Sequence, residues 1–212
     1  MLVLVGDTVS SLVSPQDRSV ALLFGDAGSA TAVESVEASE PLSTFLLYGD
    51  GAGKDNIIVP AGGFRSPLAA VSAEPNADSE GNIRAATDFY MNGMNVFLFS
   101  MQEIPRLLKD VVAHSSYAQG GISYYLLHQA NRFIISYIIE KTSLDSSRVP
   151  INIHRFGNTS GASIPLLICD ELHAEATTNT VPVVMAGFGT GFSWGGAVIT
   201  LDRLTCAELL YL

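Results

Sequence analysis

Short apolar runs alternate with amphipathic stretches along this sequence, and this alternation constrains the fold more than any other feature. Strands that alternate with helices in one chain build a layered α/β domain. The strands are predicted at residues 2–5, 20–24, 30–36, 43–48, 123–127, 151–153, 181–188 and 195–201. A glycine turn separates the last two, which predicts an antiparallel hairpin and therefore a mixed sheet sandwiched by helices.

Three stretches are predicted to form helices. In residues 93–114 apolar side chains recur at three- and four-residue steps, and Pro105 is expected to kink this helix or lie in its first turn. Asn131 is predicted to cap a second helix, and residues 162–176 are predicted to form a third with Pro165 in its first turn. Residues 49–85, rich in Gly, Pro, Ser and Asn, form a long connection of the functional or mobile kind.

Composition excludes several classes of protein. With 48% apolar residues among 212, the chain has a core for one sizeable domain or two small ones, so it is not disordered. A net charge of −10 lacks the positive field that nucleic acids require, so no nucleic-acid partner is expected. The apolar run before Gly6 is too short for a signal peptide or a membrane span, so we expect a soluble protein with no membrane partner. Two cysteines without CxxC spacing fit a reducing, cytoplasmic setting.

The generic cofactor motifs fail when their residues are counted. The glycine turn at 187–192 resembles the dinucleotide-binding fingerprint, but Phe192 replaces the last glycine of that motif. Gly53-Lys54 matches two residues of a P-loop, and the rest of that motif is absent around it. The four histidines have no partner at metal-ligand spacing, so no metal and no other bound cofactor is expected.

His128 and Asn158 are the best candidates for chemistry. Each is predicted to lie at the end of a short strand, directly before a helix, and such strand ends face the ligand crevice of open α/β sheets. An imidazole N–H and a carboxamide N–H aimed at one point would stabilise a carbonyl oxygen that gains negative charge. The structural alternative stays open, because a single histidine is often only a packing residue and Asn before Thr-Ser is often a turn or cap. Cys169 is expected to be a core residue, and Cys206 has no feature that would activate it.

Five segments together resemble the β-ketoacyl-acyl carrier protein synthase III family. They are Leu-His-Gln-Ala-Asn at 127–131, Arg-Phe-Gly-Asn-Thr-Ser-Gly-Ala-Ser-Ile-Pro at 155–165, Gly-Phe-Gly-Thr-Gly-Phe-Ser-Trp-Gly at 187–195, Phe-Gly-Asp-Ala-Gly-Ser-Ala at 24–30 and Met-Asn-Gly-Met-Asn-Val-Phe at 91–97. They occur in the order of the family and extend over nearly the whole chain. The resemblance implies a thiolase-like fold, in which two similar α/β halves form five αβαβα layers. Residues 1–36 would be the end of the first half and residues 37–212 the second half.

The resemblance also implies an activity and a set of site residues. The family condenses malonyl-acyl carrier protein with an acyl thioester, with loss of carbon dioxide, in fatty acid or polyketide-type biosynthesis. His128 and Asn158 match its catalytic histidine and asparagine, and the backbone of Thr190 matches an oxyanion-hole donor. The segment Gln129, Ala130, Asn131, Arg132 and Phe133 matches its carrier-protein contact, and Gly93 and Phe97 match positions beside the tunnel for the phosphopantetheine thioester of the carrier protein or CoA.

Three features depart from the family pattern. No cysteine in these residues lies in a string like that of the family's nucleophile, so the chain alone cannot form the acyl-enzyme and we expect it to be inactive alone as a synthase. Thr190 replaces the middle glycine of a Gly-Gly-Gly turn, and Phe133 stands where a basic residue is common, which leaves Arg132 to contact an acidic carrier protein.

These departures leave other functions open. One alternative is a non-catalytic partner or inactive homologue that pairs with a cysteine-bearing chain, and another is acyl transfer to oxygen or nitrogen. We expect an apolar sheet surface left uncovered by the missing first half, and therefore a homodimer, pairing with that half, or aggregation.

Overall fold

The computed structural model describes residues 1–34, 43–70, 74–117 and 119–211. Within them, no helix has both the length and the apolar character needed to cross a membrane. The strands are β1 (Leu2–Asp7), β2 (Ala27–Ala32), β3 (Thr44–Gly49), β4 (Ile57–Ile58), β5 (Asn76–Ala77), β6 (Ile83–Arg84), β7 (Tyr90–Met91), β8 (Tyr124–Leu127), β9 (Thr180–Gly189) and β10 (Ser193–Asp202). The helices are α1 (Gly93–His114), α2 (Arg132–Thr142), α3 (Ile153–Phe156), α4 (Ser163–Glu171) and α5 (His173–Thr178).

The central sheet is mixed, with the strand order β3-β10-β9-β8. β9 and β10 form the predicted antiparallel hairpin, in which Ala197 lies opposite Met185. β3 adds to β10 in antiparallel fashion, whereas β8 runs parallel to β9 and places Leu126 beside Met185. The thiolase-like α/β fold that the sequence predicts has this kind of mixed sheet between helices.

Helices cover both faces of the sheet because its strands are apolar on both sides. On one face, Tyr125 and Leu127 of β8 pack with the buried stripe of α1 and with the isoleucines of α2. On the other face, Leu126 packs with Leu167 of α4 and with Ala176 of α5. The period-two alternation of a strand thus divides three successive residues between two cores.

The N-terminal segment forms a separate two-stranded sheet beside α4. β1 and β2 pair in antiparallel fashion, and several large apolar side chains of β1 and of β3 remain exposed. Leu2 is 62% exposed and Leu4 is 70% exposed on β1, and Phe45 and Leu47 are similarly open on β3. Apolar surface of this extent is unusual on a monomer.

Helix α1 and the cap of α2 agree with the sequence predictions. α1 spans 93–114 with Pro105 inside it, and the Asn131 side chain accepts a hydrogen bond from the Phe133 N–H as the N-cap of α2. In its described residues, the long connection after β3 contains the short strands β4 to β6, two 3-10 helices at Gly51–Gly53 and Leu68–Ala70, and turns.

Three predictions of local structure are wrong. Residues 18–23 form turns instead of a strand, because the Asp17 carbonyl and carboxylate accept local hydrogen bonds from Ala21 and Ser19. Residues 151–153 lead into the one-turn helix α3, whose Gly157 N–H donates to the Ile153 carbonyl. The helix expected over 162–176 is split at Leu172 into α4 and α5.

Part of the predicted strand at 30–36 lies outside the described residues. The structure ends β2 at Ala32, and the proposed boundary between residues 36 and 37 also lies outside the described ranges. The division into residues 1–36 and 37–212 therefore stays a prediction.

Candidate active site

A pocket of about 820 Å³ opens between the N-terminal segment, the start of α1, the loop after β8, the start of α4 and the β9–β10 hairpin. Its walls are mainly apolar and aromatic, as in sites that bind small organic groups. The residues singled out from the sequence that line it are His128, Asn158, Thr190, Ala130, Asn131, Phe133, Gly93 and Phe97. The chain thus brings these eight positions, which are far apart in the sequence, to one cavity.

His128 lies directly beyond the carboxyl end of β8, as predicted. Its backbone N–H donates to the Ala186 carbonyl at 2.8 Å and so extends the parallel pairing by one residue. Nδ1 is 2.7 Å from the Ser163 hydroxyl, and the ring packs edge-on against Phe188. With Nδ1 and one ring edge held in this way, Nε2 is left without a hydrogen-bond partner among the described residues.

Burial lowers the pKa of His128 from 6.5 to about 4. The cause is desolvation, which disfavours the charged imidazolium. At neutral pH the ring is therefore neutral and carries a single N–H. A neutral donor can meet a carbonyl oxygen without first losing the hydration of a full charge.

The side chain of Asn158 is oriented by two contacts with opposite requirements. Oδ1 accepts a hydrogen bond from the Ser160 N–H at 2.9 Å, and Nδ2 donates to the Ala130 carbonyl at 3.4 Å. An exchanged amide would place a donor against an N–H and an acceptor against a carbonyl, so this orientation is the favourable one. Within the described ranges, Nδ2 uses one of its two N–H groups, which leaves the other for a ligand.

Asn158 does not follow a strand, which corrects the sequence prediction. It follows Gly157, whose φ of 69° lies in the left-handed region, at the end of α3. A Cβ at Gly157 would lie 3.0 Å from the Leu23 carbonyl oxygen, so glycine is required there both by conformation and by space. The backbone of Asn158 instead pairs with that of Phe24 in an isolated parallel bridge.

Thr190 lies at the tip of the β9–β10 hairpin and lines the pocket. Its φ is not positive, in agreement with the expectation for a β-branched residue. Its carbonyl accepts a hydrogen bond from the Ser193 hydroxyl at 2.7 Å, while its N–H has no partner in the described part of the chain. That N–H is available as a backbone donor.

Aromatic rings form one wall of the pocket near the start of α1. Phe97 stacks on Phe133 with ring centroids 5.4 Å apart and contacts Tyr137 edge-on. Phe133 is nevertheless 67% exposed, because only one face of its ring is covered. Asn131 lies next to it, with its Oδ1 committed to capping α2.

Two residues of the segment 129–133 do not line the pocket. Gln129 is only 1% exposed, and its side chain donates to the Leu127 carbonyl and accepts from the Asn152 N–H. A side chain that is buried with both polar groups bonded cannot contact a carrier protein, so the prediction for Gln129 does not fit the structure. Arg132 is exposed at the start of α2, on the outer surface.

Neither cysteine lines the pocket. Cys169 is partly buried on α4, and its burial raises the pKa of the thiol, whereas Cys206 is exposed near the C-terminal end of the chain. No group of three or more His, Cys, Asp or Glu side chains within the described ranges could hold a metal ion.

Ser163 is a site residue that the sequence analysis did not single out. It is the first residue of α4, it is 2% exposed, and it lines the pocket as well as contacting His128. Its only signal is its position five residues after Asn158, within the quoted segment 155–165. A serine near a helix start is more often a cap, so the signal is weak.

Two family models match the chain. Residues 112–201 match the model described as 3-oxoacyl-[acyl-carrier-protein (ACP)] synthase III C terminal, and residues 1–51 match 3-oxoacyl-[acyl-carrier-protein (ACP)] synthase III. The two matches occur in chain order and together cover more than half of the sequence.

Similar proteins and solved structures agree with these models. The chain is 32% identical over 198 residues to a beta-ketoacyl-[acyl-carrier-protein] synthase III of Synechococcus sp. strain WH7803, covering 93% of this chain and 56% of that protein. It superposes with a TM-score of 0.87 and 37% identity on a 3-oxoacyl-(acyl-carrier protein) synthase from Burkholderia xenovorans LB400, covering 98% of this chain and 57% of that one. A beta-ketoacyl-[acyl carrier protein] synthase III from Thermus thermophilus gives a TM-score of 0.78 at 28% identity, with 93% and 58% covered. The chain thus spans less than two thirds of the length of these relatives.

Proposed function

Since the chain belongs to the 3-oxoacyl-[acyl-carrier-protein] synthase III family, we propose that it carries the decarboxylating part of a condensing-enzyme active site. The observation that carries this proposal is the shared pocket of His128 and Asn158, in which one N–H of Asn158 and the Nε2 of His128 have no hydrogen-bond partner among the described residues. Both groups are uncharged donors in an apolar cavity. The related proteins are acyl-carrier-protein synthases by name, and the same activity is proposed for the complete enzyme to which this chain contributes.

The proposed chemistry begins with a malonyl thioester. Its carboxylate leaves as carbon dioxide, and the electron pair of the broken C–C bond passes to the α-carbon and the thioester oxygen. His128 and Asn158 donate hydrogen bonds to that oxygen while its negative charge develops. In the condensation, the α-carbon attacks an acyl thioester on cysteine, a new C–C bond forms, and the cysteine thiolate leaves. Without an acyl group, the enolate takes a proton from water and gives an acetyl thioester.

The nucleophilic cysteine must come from outside these 212 residues. Cys169 and Cys206 lie away from the pocket, and neither occupies a position from which it could reach a bound acyl group. The free N–H of Thr190 at the hairpin tip is proposed to serve the oxyanion hole on the cysteine side. This chain alone is therefore proposed to decarboxylate but not to condense.

The thioester arm is proposed to enter along the aromatic wall. The pocket lining includes Gly93, Phe97, Ala130, Asn131 and Phe133. The arm would belong to an acyl carrier protein or to CoA. Because the chain has a net charge of −10, contact with an acidic carrier protein would depend on a few cations such as Arg132. No cofactor beyond the substrate's own phosphopantetheine is proposed.

The exposed apolar side chains of β1 and β3 favour a role for a second polypeptide. Leu4 and Leu47 are 70% and 82% exposed, which is costly for an isolated chain in water. We propose that a cysteine-bearing half, or a second copy in a homodimer, covers this surface in the cytoplasm. If the partner carries a full site of its own, this chain would be a non-catalytic subunit, which is the second candidate function.

Decarboxylation of a malonyl thioester tests the proposal directly, because it requires no cysteine. The chain should release carbon dioxide from carboxyl-labelled malonyl-CoA above the rate of a blank, and His128→Ala or Asn158→Ala should lower the rate about a hundredfold or more. The matched controls are His154→Ala and Asn179→Ala, both exposed and outside the pocket. Rates within a few fold of the parent in both site variants would refute the assignment. Covalent labelling of Cys169 or Cys206 by an acyl thioester would contradict the external nucleophile.

A further inference from the structure

Among the described residues, the Ser163 hydroxyl forms one hydrogen bond, and its partner is the imidazole of His128. Oγ lies 2.7 Å from Nδ1, and Ser163 is 2% exposed at the start of α4. No other hydrogen bond of this hydroxyl occurs within the described residues. The hydrogen bond between Ser163 and His128 therefore determines which of their atoms carry the protons.

The proton positions follow from the donors and acceptors of the two groups. A serine hydroxyl has one proton to donate, and Nδ1 is the acceptor it meets in this structure. If Nδ1 carried the ring proton and donated to Oγ, the hydroxyl proton of this 2% exposed serine would have no acceptor among the described residues, which costs about 1–3 kcal/mol. The favourable arrangement has Ser163 donating to Nδ1. The ring is neutral at pH 7, so its single proton is on Nε2, the nitrogen without a hydrogen-bond partner in the described part of the chain.

Two other histidines of the chain show the opposite arrangement. Nδ1 of His114 faces the Asp110 carbonyl at 2.7 Å, and Nδ1 of His173 faces the Ala207 carbonyl. A carbonyl oxygen can only accept, so Nδ1 is the donor in both rings. His128 thus differs from these two in the partner that its Nδ1 meets.

We propose that Ser163 is a positioning residue, which holds His128 in the tautomer with the proton on Nε2 and aims that N–H into the pocket. The assignment deepens the proposed function, because only this tautomer lets His128 donate to a thioester oxygen. Ser163 acts through the histidine, and no direct hydrogen bond from Ser163 to the substrate is proposed. Loss of its hydroxyl leaves Nδ1 unbonded and the ring free to turn, so the donor is no longer held toward the oxygen.

Nitrogen NMR of the chain labelled with ¹⁵N-histidine tests the proton position without any activity. At pH 7 the parent should show a protonated Nε2 and an unprotonated Nδ1 for His128, identified by the loss of its signals in His128→Gln. His114 and His173 should show a protonated Nδ1 and serve as internal references. A protonated Nδ1 at His128 would overturn the inference, whatever the enzymatic rates are.

Variants of Ser163 test the consequence. Ser163→Ala should shift the Nδ1 resonance of His128 to that of an unbonded nitrogen and lower kcat for malonyl-CoA decarboxylation about tenfold, with KM nearly unchanged. Ser163→Thr keeps the hydroxyl and should recover part of kcat, and Ser136→Ala, an exposed serine of α2, should change neither quantity. An unaltered Nδ1 resonance in Ser163→Ala would refute the contact. If instead the tautomer is as stated but His128→Ala leaves the rate unchanged, the proposed function fails while the placement of the proton holds.

Discussion

The backbone of Phe24 pairs with that of Asn158 in an isolated parallel bridge. The Asn158 N–H donates to the Leu23 carbonyl at 2.9 Å, and the Gly25 N–H donates to the Asn158 carbonyl at 3.1 Å. The N-terminal segment thus holds the main chain of a candidate site residue that lies more than a hundred positions away. A change at Gly25, which does not line the pocket, should therefore alter the site without replacing a group that faces the pocket.

Gly25→Ala is expected to disrupt this bridge. A Cβ at position 25 would lie 1.9 Å from the Phe156 carbonyl oxygen, a contact that only a shift of the main chain can relieve. We expect a loss of about 2 kcal/mol or more in the free energy of unfolding, or roughly 4–8 °C in Tm for a chain of this length. Calorimetry and chemical-shift changes at Asn158 measure the effect.

Gly63→Ala is the matched control for that substitution. A Cβ at position 63 has no heavy atom within 4 Å, and Gly63 is exposed. Its Tm should remain within about 2 °C of the parent. An equal Tm for the two alanine variants would show that the close approach at Gly25 does not exist.

Asn131→Ala should separate helix capping from ligand binding. Asn131 Oδ1 accepts from the Phe133 N–H at 2.7 Å, and loss of such a cap costs about 1 kcal/mol. Asn131→Ser keeps a capping oxygen and should recover most of that stability in urea unfolding. If the carboxamide also contacts the thioester arm, the serine variant will be as stable as the parent yet will bind malonyl-CoA more weakly. A serine variant as unstable as the alanine variant would exclude capping as the cause.

The sequence predicted those elements whose local pattern agrees with their packing. The three- and four-residue apolar steps of α1 and the asparagine cap of α2 are local signals, and the structure confirms both. The glycine turn predicted the β9–β10 hairpin, which the structure also confirms. The convergence of His128 and Asn158 was predicted from their positions directly before helices, although Asn158 follows α3 and not a strand, whereas Thr190 was assigned to the site through the family resemblance.

The failed predictions share a physical cause. The apolar run at 20–24 has the composition of a strand, but Asp17 satisfies nearby N–H groups and favours turns. Residues 151–153 close their hydrogen bonds locally in α3. The Ser163 contact could not be found because it depends on where α4 begins relative to the end of β8, which is a tertiary property.

The stability of the chain should fall as the pH drops from 6.5 toward 4. The pKa of His128 is about 4 in the folded chain, so the unfolded chain, with a pKa of 6.5, binds the proton more readily. The stability present above pH 6.5 is therefore lost on acidification, by at most about 3 kcal/mol from this residue. Urea unfolding at pH 7 and at pH 4.5 measures the loss. His128→Gln should reduce this loss of unfolding free energy between pH 7 and pH 4.5. His154→Gln leaves His128 intact, so the loss should be the same as in the parent. An identical pH dependence in parent and His128→Gln would contradict the lowered pKa.

Arg84 is expected to join the long connection after β3 to the N-terminal segment. Its guanidinium lies 2.6 Å from the fully buried carboxylate of Asp17 and 2.6 Å from that of Asp78. The Ser14 hydroxyl also donates to the Ile83 carbonyl, so several contacts connect the same two segments. Residues 74–91 therefore pack against the N-terminal segment that contains Phe24 and stabilise it.

Arg84→Gln should leave the Asp17 carboxylate buried without its cation and cost about 2–4 kcal/mol in urea unfolding. Asp17→Asn removes the charge but keeps a similar shape, so the double variant should lose less than the sum of the two single losses. A coupling energy near zero in this double-mutant cycle would mean that Arg84 does not stabilise Asp17.

Because Asp17 closes the turns that lead to Phe24, Arg84→Gln should also shift the amide resonance of Asn158. Lys109→Gln, a change of the same charge at a solvent-exposed position of α1, should leave that resonance in place.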